Sequence, residues 1–178
     1  MNIHPLLVHF PIAFLTLYAI CELIRFNQIT KQNYWFYFKA MLVIAGTITA
    51  QIAAGTGGMI EEMFAEGPKA DAIKNAIVPA HEMTAEAGSG IFLILALTYL
   101  VLWVNRDASE EFLTRNPRFA KLMRLASPLA NWISQTKAIL ILSILGLVSL
   151  TLAGGLGGAM VHGTDADPLI SFIYRLFF

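Results

Sequence analysis

The sequence has little charge and almost no cysteine. Asp, Glu, Lys and Arg make up only 13% of its 178 residues, and the formal net charge is zero. This balance gives no indication of a nucleic-acid partner, which a strongly basic chain would suggest. The single cysteine, Cys21, lies in an apolar run and has no partner within the chain, so an intramolecular disulfide framework is excluded.

Apolar residues dominate the chain instead. They account for 57% of the residues, and the mean hydropathy of +0.64 is too high for a soluble domain of this length. A transmembrane helix needs about 20 largely apolar residues. Four segments are long enough, at residues 5–26, 35–60, 79–104 and 137–161. The sequence therefore predicts one all-α domain over residues 1–178, an integral membrane four-helix bundle.

Positive charge is missing from the start of the chain and unevenly spread after it. No Lys or Arg precedes Arg25, so the first segment lacks the basic stretch of a cleaved signal peptide and is expected to be retained. Of the 12 basic residues, only Lys69, Lys74 and Arg175 fall on the side of the termini and the second connection. By the positive-inside rule we expect a multi-pass protein of the bacterial inner membrane with both termini in the periplasm.

Two shorter segments are predicted to lie at the membrane surface. Residues 108–125, in the long third connection, mix basic residues with Phe112, Phe119 and Leu122, as expected for a helix on the anionic inner leaflet. Residues 169–178 are mostly apolar but too short to cross the membrane, so we expect them at the outer interface or packed on the bundle. The lipid bilayer is therefore the first predicted partner.

The chain has only four histidines, and this topology brings them to one face of the membrane. The first and third spans begin outside and the second and fourth end there, so all four lie within about two helical turns of the outer boundary: His4, His9, His81 and His162. A histidine near hydrocarbon is a candidate functional residue unless it only hydrogen-bonds a carboxylate or a carbonyl. Pro5 and Pro11 are expected to give the first span a bent or non-helical start.

Small residues collect at the same end of the predicted bundle. The second span ends in Ala53-Ala54-Gly55-Thr56-Gly57-Gly58, and the fourth ends in Ala153-Gly154-Gly155-Leu156-Gly157-Gly158. This similarity indicates two related helix pairs, which open near His9 and His81. Small-residue faces allow close helix packing, or they leave room for a flat cofactor. The positions predicted to allow such an approach are Gly57, Gly58, Gly88, Gly154, Gly157 and Gly158.

Imidazoles beside small residues favour a haem site. A b-type haem needs one or two axial imidazoles and an apolar slot, and a four-helix bundle can supply both. We predict His9 and His81 as the axial pair, with His4 and His162 as a second pair or as partners of the haem propionates. Two carboxylates at the start of the third span either complement the helix N-terminus or hydrogen-bond a ligating imidazole: Glu82 and Glu86.

Two other functions stay open. Thioether and imidazole ligands suit Cu(I), and Met59, Met83 and Met160 fall near the histidines. The main alternative is therefore a membrane protein that binds copper or another metal, in handling or sensing. The other is a structural subunit of a membrane complex that binds no cofactor. The chain contains no serine-histidine-acid pattern, P-loop or dinucleotide fingerprint, which favours an electron-transfer subunit over a stand-alone enzyme.

Several of these motifs together resemble a known family, the bacterial membrane proteins of domain of unknown function 2231. The similar features are the opening His4-Pro5-Leu6-Leu7-Val8-His9-Phe10-Pro11, the segment Thr56-Gly57-Gly58, His81, and the late Val161-His162-Gly163. The resemblance implies a four-helix inner-membrane domain, and relatives joined to c-type cytochrome segments imply redox work. The prediction is a haem b protein that passes electrons from a quinol to a periplasmic c-type cytochrome or within a larger membrane complex.

Overall fold

The computed structural model describes residues 4–24, 26–64 and 76–178, and every regular element in these ranges is a helix. The predicted all-α class is confirmed. In chain order the helices are α1 (His4–Leu23), α2 (Asn27–Thr30), α3 (Asn33–Phe64), α4 (Val78–Asp107), α5 (Glu110–Arg115), α6 (Pro117–Gln135), α7 (Ala138–His162) and α8 (Pro168–Phe177).

The four long helices, α1, α3, α4 and α7, pack as a ring. α1 lies against α3, α3 against α4, α4 against α7, and α7 against α1. Each is long and apolar enough to cross a bilayer, and together they overlap the four predicted spans. The core between them is apolar, with Leu15, Val43, Phe92 and Leu95 almost fully buried. This packing buries one face of each helix and leaves large apolar side chains on the outer faces, as lipid contact requires.

The bundle has two different ends. The histidine end contains the start of α1 and α4 and the last turns of α3 and α7, with His4 and His81. The basic end contains the opposite ends of these helices together with α2, α5 and α6. α1 begins at His4 and continues through Pro11, which is buried, so the alternative of a non-helical start at Pro5 and Pro11 is wrong.

The predicted internal repeat extends along the whole length of the bundle. Each residue on the buried face of α1 has a buried counterpart in α4 that lies 77 positions later, as Glu22 and Tyr99 do. The matching buried pairs are Pro11 with Gly88, Leu15 with Phe92, Tyr18 with Leu95, Ala19 with Ala96, Cys21 with Thr98, and Glu22 with Tyr99. The α1–α3 pair and the α4–α7 pair are therefore two copies of one helical hairpin.

Glycines at matching positions bring the two helices of each hairpin together. Gly46 of α3 and Gly146 of α7 are counterparts in the repeat. A Cβ at Gly46 would lie 2.5 Å from Leu15, and a Cβ at Gly146 would lie 2.9 Å from Phe92, which is the counterpart of Leu15. Both helix crossings therefore depend on a missing side chain at the same place.

The last helix, α8, packs along the glycine-rich face of α7. Ile170 and Ile173 are buried there, against Gly158 and Gly155 respectively. Asp167 starts this helix, because its carboxylate accepts hydrogen bonds from the backbone N–H groups of residues 169 and 170, at 2.8 and 2.9 Å. The opposite face of α8 is apolar and exposed, so the helix has one side for the bundle and one for a lipid surface.

Helix α6 is also amphipathic. Ala130 and Ile133 are buried, whereas a second apolar row is exposed and neighbours the basic residues of the helix. That exposed row consists of Leu122, Leu125, Leu129 and Trp132. A helix with this composition fits the surface of an anionic membrane, as the sequence pattern predicts for residues 108–125.

Candidate functional site

The first imidazole of the histidine end belongs to His81, which is half-buried in the first turns of α4. Its Nδ1 lies 2.8 Å from the carbonyl oxygen of Ala153 in α7. A carbonyl oxygen only accepts hydrogen bonds, so Nδ1 must carry the proton and donate it. The lone pair of the neutral ring is therefore on Nε2, the atom that a histidine in this tautomer offers to a metal.

The second imidazole belongs to His4, at the start of α1. Its Nδ1 lies 2.8 Å from the hydroxyl oxygen of Thr56 in α3. Thr56 donates its own hydroxyl hydrogen to the carbonyl oxygen of Ala53, at 2.8 Å, so its oxygen acts as acceptor for His4. His4 thus has the same tautomer as His81, with the proton on Nδ1 and the lone pair on Nε2.

Each imidazole lies over a glycine of the neighbouring helix. A Cβ at Gly57 would be 3.7 Å from Cε1 of His4, and a Cβ at Gly157 would be 3.3 Å from Cε1 of His81. Gly57 and Gly157 are counterparts in the repeat, as are Ala53 and Ala153 beside them. His4 is therefore the counterpart of His81. The sequence pattern instead predicts His9 as the counterpart of His81, and this prediction differs from the structure.

The two imidazoles are close enough to influence each other. Burial lowers the pKa of His4, the carbonyl of Ala53 raises it, and the nearby His81 lowers it, with a net decrease from the ordinary value of 6.5. His4 is therefore neutral at pH 7. A neutral imidazole, oriented through Nδ1 and with its lone pair on Nε2, is the form in which histidine ligates a metal or a haem iron.

The other two histidines lie elsewhere at this end. His9 is exposed on α1, because five residues along a helix correspond to a rotation of about 140° away from the face that carries His4. His162 is the exposed last residue of α7, followed by Gly163 with a φ of 96°. The predicted roles of His9 and His162 stay predictions. Two carboxylates near His81 are exposed on the surface of α4, namely Glu82 and Glu86.

The predicted close-approach glycines fall into distinct groups. Gly57 and Gly157 lie at the imidazoles, as described above. Gly88 faces Ser149 of α7, and Gly158 faces Ile170 of α8, so both allow helices to pack closely. A Cβ at Gly154 would have no neighbour within 4 Å among the described residues, and the surroundings of Gly58 lie outside the described side chains.

Metal ligands other than these imidazoles are not grouped in the described part of the chain. Among the described side chains, which are those of residues 4, 6–24, 26–57 and 76–178, no cluster of three or more His, Cys, Asp or Glu could hold a metal ion. Of the methionines considered for copper, Met160 packs against the apolar cluster of Ile77, Leu156 and Ile173, and Met83 is exposed. The side chain of Met59 lies outside the described residues.

A second polar group, at the basic end, was not predicted. Glu22 is only 2% exposed, and Lys39 donates to both of its carboxylate oxygens, at 3.1 and 3.0 Å. The hydroxyl of Tyr99 donates to the same carboxylate at 2.5 Å. A carboxylate within a membrane span is costly unless it is paired, which makes any such residue a functional candidate by default. This rule, applied to Glu22, is the signal that could have found the group.

Comparison with known families agrees with this architecture. The family described as "predicted membrane protein (DUF2231)" matches residues 1–166. The chain belongs to the DUF2231 family. The resemblance noted from the opening motif is thereby confirmed, and with its four apolar helices this DUF2231 member is a multi-pass membrane protein. No curated protein and no solved structure gives a significant match to the chain.

Proposed function

We propose that this DUF2231 protein is a membrane-bound electron-transfer protein of the b-type cytochrome kind, with a haem held at the histidine end by His81 and His4. The observation that carries the proposal is the shared tautomer of the two counterpart imidazoles. Each donates Nδ1–H to a protein oxygen and keeps its lone pair on Nε2. Hydrogen bonds of this kind orient axial histidines and increase their basicity.

The histidine end can supply the axial ligands and the apolar surroundings that haem b requires. Two imidazoles from different helices would meet the need for one or two axial nitrogens, and the surrounding spans are apolar. When bound, the haem supplies one-electron chemistry. Ala153 and Thr56 orient the two imidazole rings by accepting their Nδ1–H groups. Because Gly57 and Gly157 have no side chain, the imidazole rings can pack directly against the backbone there.

The structure supports a different axial pair from the one predicted from the pattern. His9 and His81 are not counterparts, whereas His4 and His81 make equivalent contacts to α3 and α7. We therefore assign the axial role to His4 and His81. His9 and His162 are assigned to a second pair or to the propionates, since both are exposed near the same end.

The distribution of charge supports the rest of the proposal. Basic residues are concentrated at the basic end, so this end faces the cytoplasm of a bacterial inner membrane by the positive-inside rule. The histidine end and both termini then face the periplasm. A haem at this position can exchange electrons with a periplasmic c-type cytochrome or a partner subunit, and a membrane quinol is the proposed electron source.

Absorption spectra of the detergent-purified protein, oxidised and then reduced, test the proposal directly. We expect a Soret band, with sharp α and β bands on reduction that indicate two imidazole ligands. His81→Ala should abolish haem binding, and His4→Ala should abolish it or convert the iron to a high-spin state. Asp165→Asn, at an exposed position of the same end that has no role in the proposed site, is the control, and it should keep the spectrum.

The same preparation identifies the alternatives. A loss of the low-spin spectrum in His9→Gln but not in His4→Gln would reverse the assignment of the second ligand. Elemental analysis that finds stoichiometric copper without iron would replace haem by copper. A protein with neither metal, in which all four histidines tolerate glutamine, would be a structural subunit, and the proposal would be abandoned.

A further inference from the structure

A cavity of about 540 Å³ opens at the basic end of the bundle. It lies where α1, α3, α4 and α7 meet the end of α6, so every long helix contributes to its wall. Its polar floor consists of the Glu22–Lys39 ion pair and Tyr99, and Trp35 and Phe36 form an aromatic side. This volume falls within the range of about 300–1,000 Å³ that is typical of small-molecule sites.

The internal repeat has uncharged residues at the positions equivalent to this ion pair. The counterpart of Glu22 in the second hairpin is Tyr99, and the counterpart of Lys39 in α7 is Ile139, which is buried. The same architecture is therefore built with uncharged residues at the equivalent positions. Because a buried ion pair adds little to stability relative to apolar residues of similar size, a binding role explains its presence better than a structural one.

The floor retains hydrogen-bonding capacity of both kinds. Glu22 has one oxygen, Oε2, that accepts only from Lys39, so one acceptor position remains. The ammonium group of Lys39 has three N–H donors, and two are directed at Glu22. Arg106, in the wall, has five N–H donors, and one of them is directed at Asn33. A ligand here can therefore both accept and donate hydrogen bonds.

The buried floor of the cavity favours a neutral ligand. Glu22 and Lys39 neutralise each other there, and the guanidinium of Arg106, which donates to Asn33 at 2.6 Å and stacks on Phe36, adds one positive charge to the wall. The remaining polar wall consists of amides and hydroxyls. A buried carboxylate would repel an anionic headgroup, and a cationic ligand would have to compete with Lys39. The aromatic side is suited to a flat ring.

We propose that this cavity binds the headgroup of a membrane quinone. A quinone ring is flat, neutral and soluble in the bilayer. Its carbonyl oxygens match the donors of Lys39 and Arg106, and the hydroxyl of its reduced form matches the acceptor on Glu22. The floor lies eighteen residues along α1 from His4, about 27 Å at the helical rise. The site is therefore separate from the imidazole pair, and the proposal concerns binding, independent of whether haem is present.

Fluorescence of Trp35 provides a local readout. The chain has 3 tryptophans, so the double variant Trp103→Phe/Trp132→Phe leaves Trp35 as the only one. Titration of this background in detergent with a short-chain benzoquinone or naphthoquinone should give saturable quenching. His81→Ala in the same background should bind the quinone equally well, which separates this proposal from the haem site.

The decisive comparison replaces both residues of the ion pair in one double variant. Glu22→Leu/Lys39→Ile removes both charges, and the repeat has the uncharged Tyr99 and Ile139 at the equivalent positions, so the bundle should fold and the affinity for quinone should fall at least tenfold. Glu111→Leu/Arg115→Ile is the matched control, because it removes an exposed ion pair of 2.6 Å from α5 and leaves the net charge unchanged. Its affinity should equal that of the background.

Two results would overturn the proposal. One is quenching that does not saturate, or that is the same in the background and in the variant that lacks the ion pair, Glu22→Leu/Lys39→Ile. The other is a cavity occupied by an anionic lipid, seen as phosphatidylglycerol that co-purifies stoichiometrically, is lost in Arg106→Gln and blocks quinone binding. A quinone affinity that falls only when the ion pair is removed would support it.

Discussion

His4 and His81 make equivalent contacts in two copies of one helical hairpin. His81 hydrogen-bonds the carbonyl of Ala153, and His4 lies beside Ala53 and bonds Thr56, which itself donates to the Ala53 carbonyl. Each histidine is therefore oriented through its Nδ1 by the partner helix of its own hairpin. Because each ring is positioned from a different helix, small changes in those helices should alter the histidine end selectively.

A methyl group beside one imidazole should disturb the site without unfolding the protein. In Gly157→Ala the new Cβ would lie 3.3 Å from Cε1 of His81, which is tight, so we expect weaker binding of any ligand held by His81. In Gly154→Ala the new Cβ has no described neighbour within 4 Å, so binding should be unchanged. Helix propensity should stabilise the Gly154 variant by up to about 1 kcal/mol. Spectral titration and thermal unfolding of both variants measure these effects, and equal binding by both would contradict the expectation.

The lowered pKa of His4 predicts a loss of stability in mild acid. The unfolded chain binds a proton at His4 near pH 6.5, whereas the folded protein resists it because the ring is partly buried beside His81. The contribution is therefore fully present above pH 6.5 and decreases as the pH falls through the lower folded pKa. His4→Gln should reduce this pH dependence. Unfolding midpoints of wild type and variant between pH 5 and 8 test it, and His162→Gln, an exposed histidine, is the control.

The sequence predicts the helices and their arrangement well, and the histidine pairing less well. Apolar runs of sufficient length identify the spans because the bilayer sets a minimum length. The choice between His4 and His9 depends on which face of α1 packs against Thr56, and periodicity near a helix start does not determine that face. The partners of Glu22 are Lys39 on another helix and Tyr99 on a third, so local spacing could not bring them together.

Matching glycines should respond alike to substitution. Gly46→Ala and Gly146→Ala each place a Cβ within 3 Å of a fully buried side chain, Leu15 or Phe92. Overpacking of this kind typically costs about 1–3 kcal/mol, and we expect both variants to lose stability within that range. Gly90→Ala, on an exposed face with no described neighbour within 4 Å of the new Cβ, should be neutral or slightly stabilising. Unfolding in mixed detergent micelles measures all three, and a stable Gly46 or Gly146 variant would show that the helices can separate there.

The buried ion pair should show strong coupling in a double-mutant cycle. Lys39→Met leaves Glu22 buried without its counter-ion, since the carboxylate is only 2% exposed, and should destabilise the fold by about 3–5 kcal/mol. Glu22→Leu together with Lys39→Met removes both charges and should recover most of that loss, although Tyr99 then loses its acceptor. The free energy of unfolding of the wild type, the two single variants and the double variant gives the coupling directly. If the single and double variants were equally stable, water or lipid would already solvate Glu22. Glu22 and Lys39 would then not form the neutral floor on which the proposed quinone site depends.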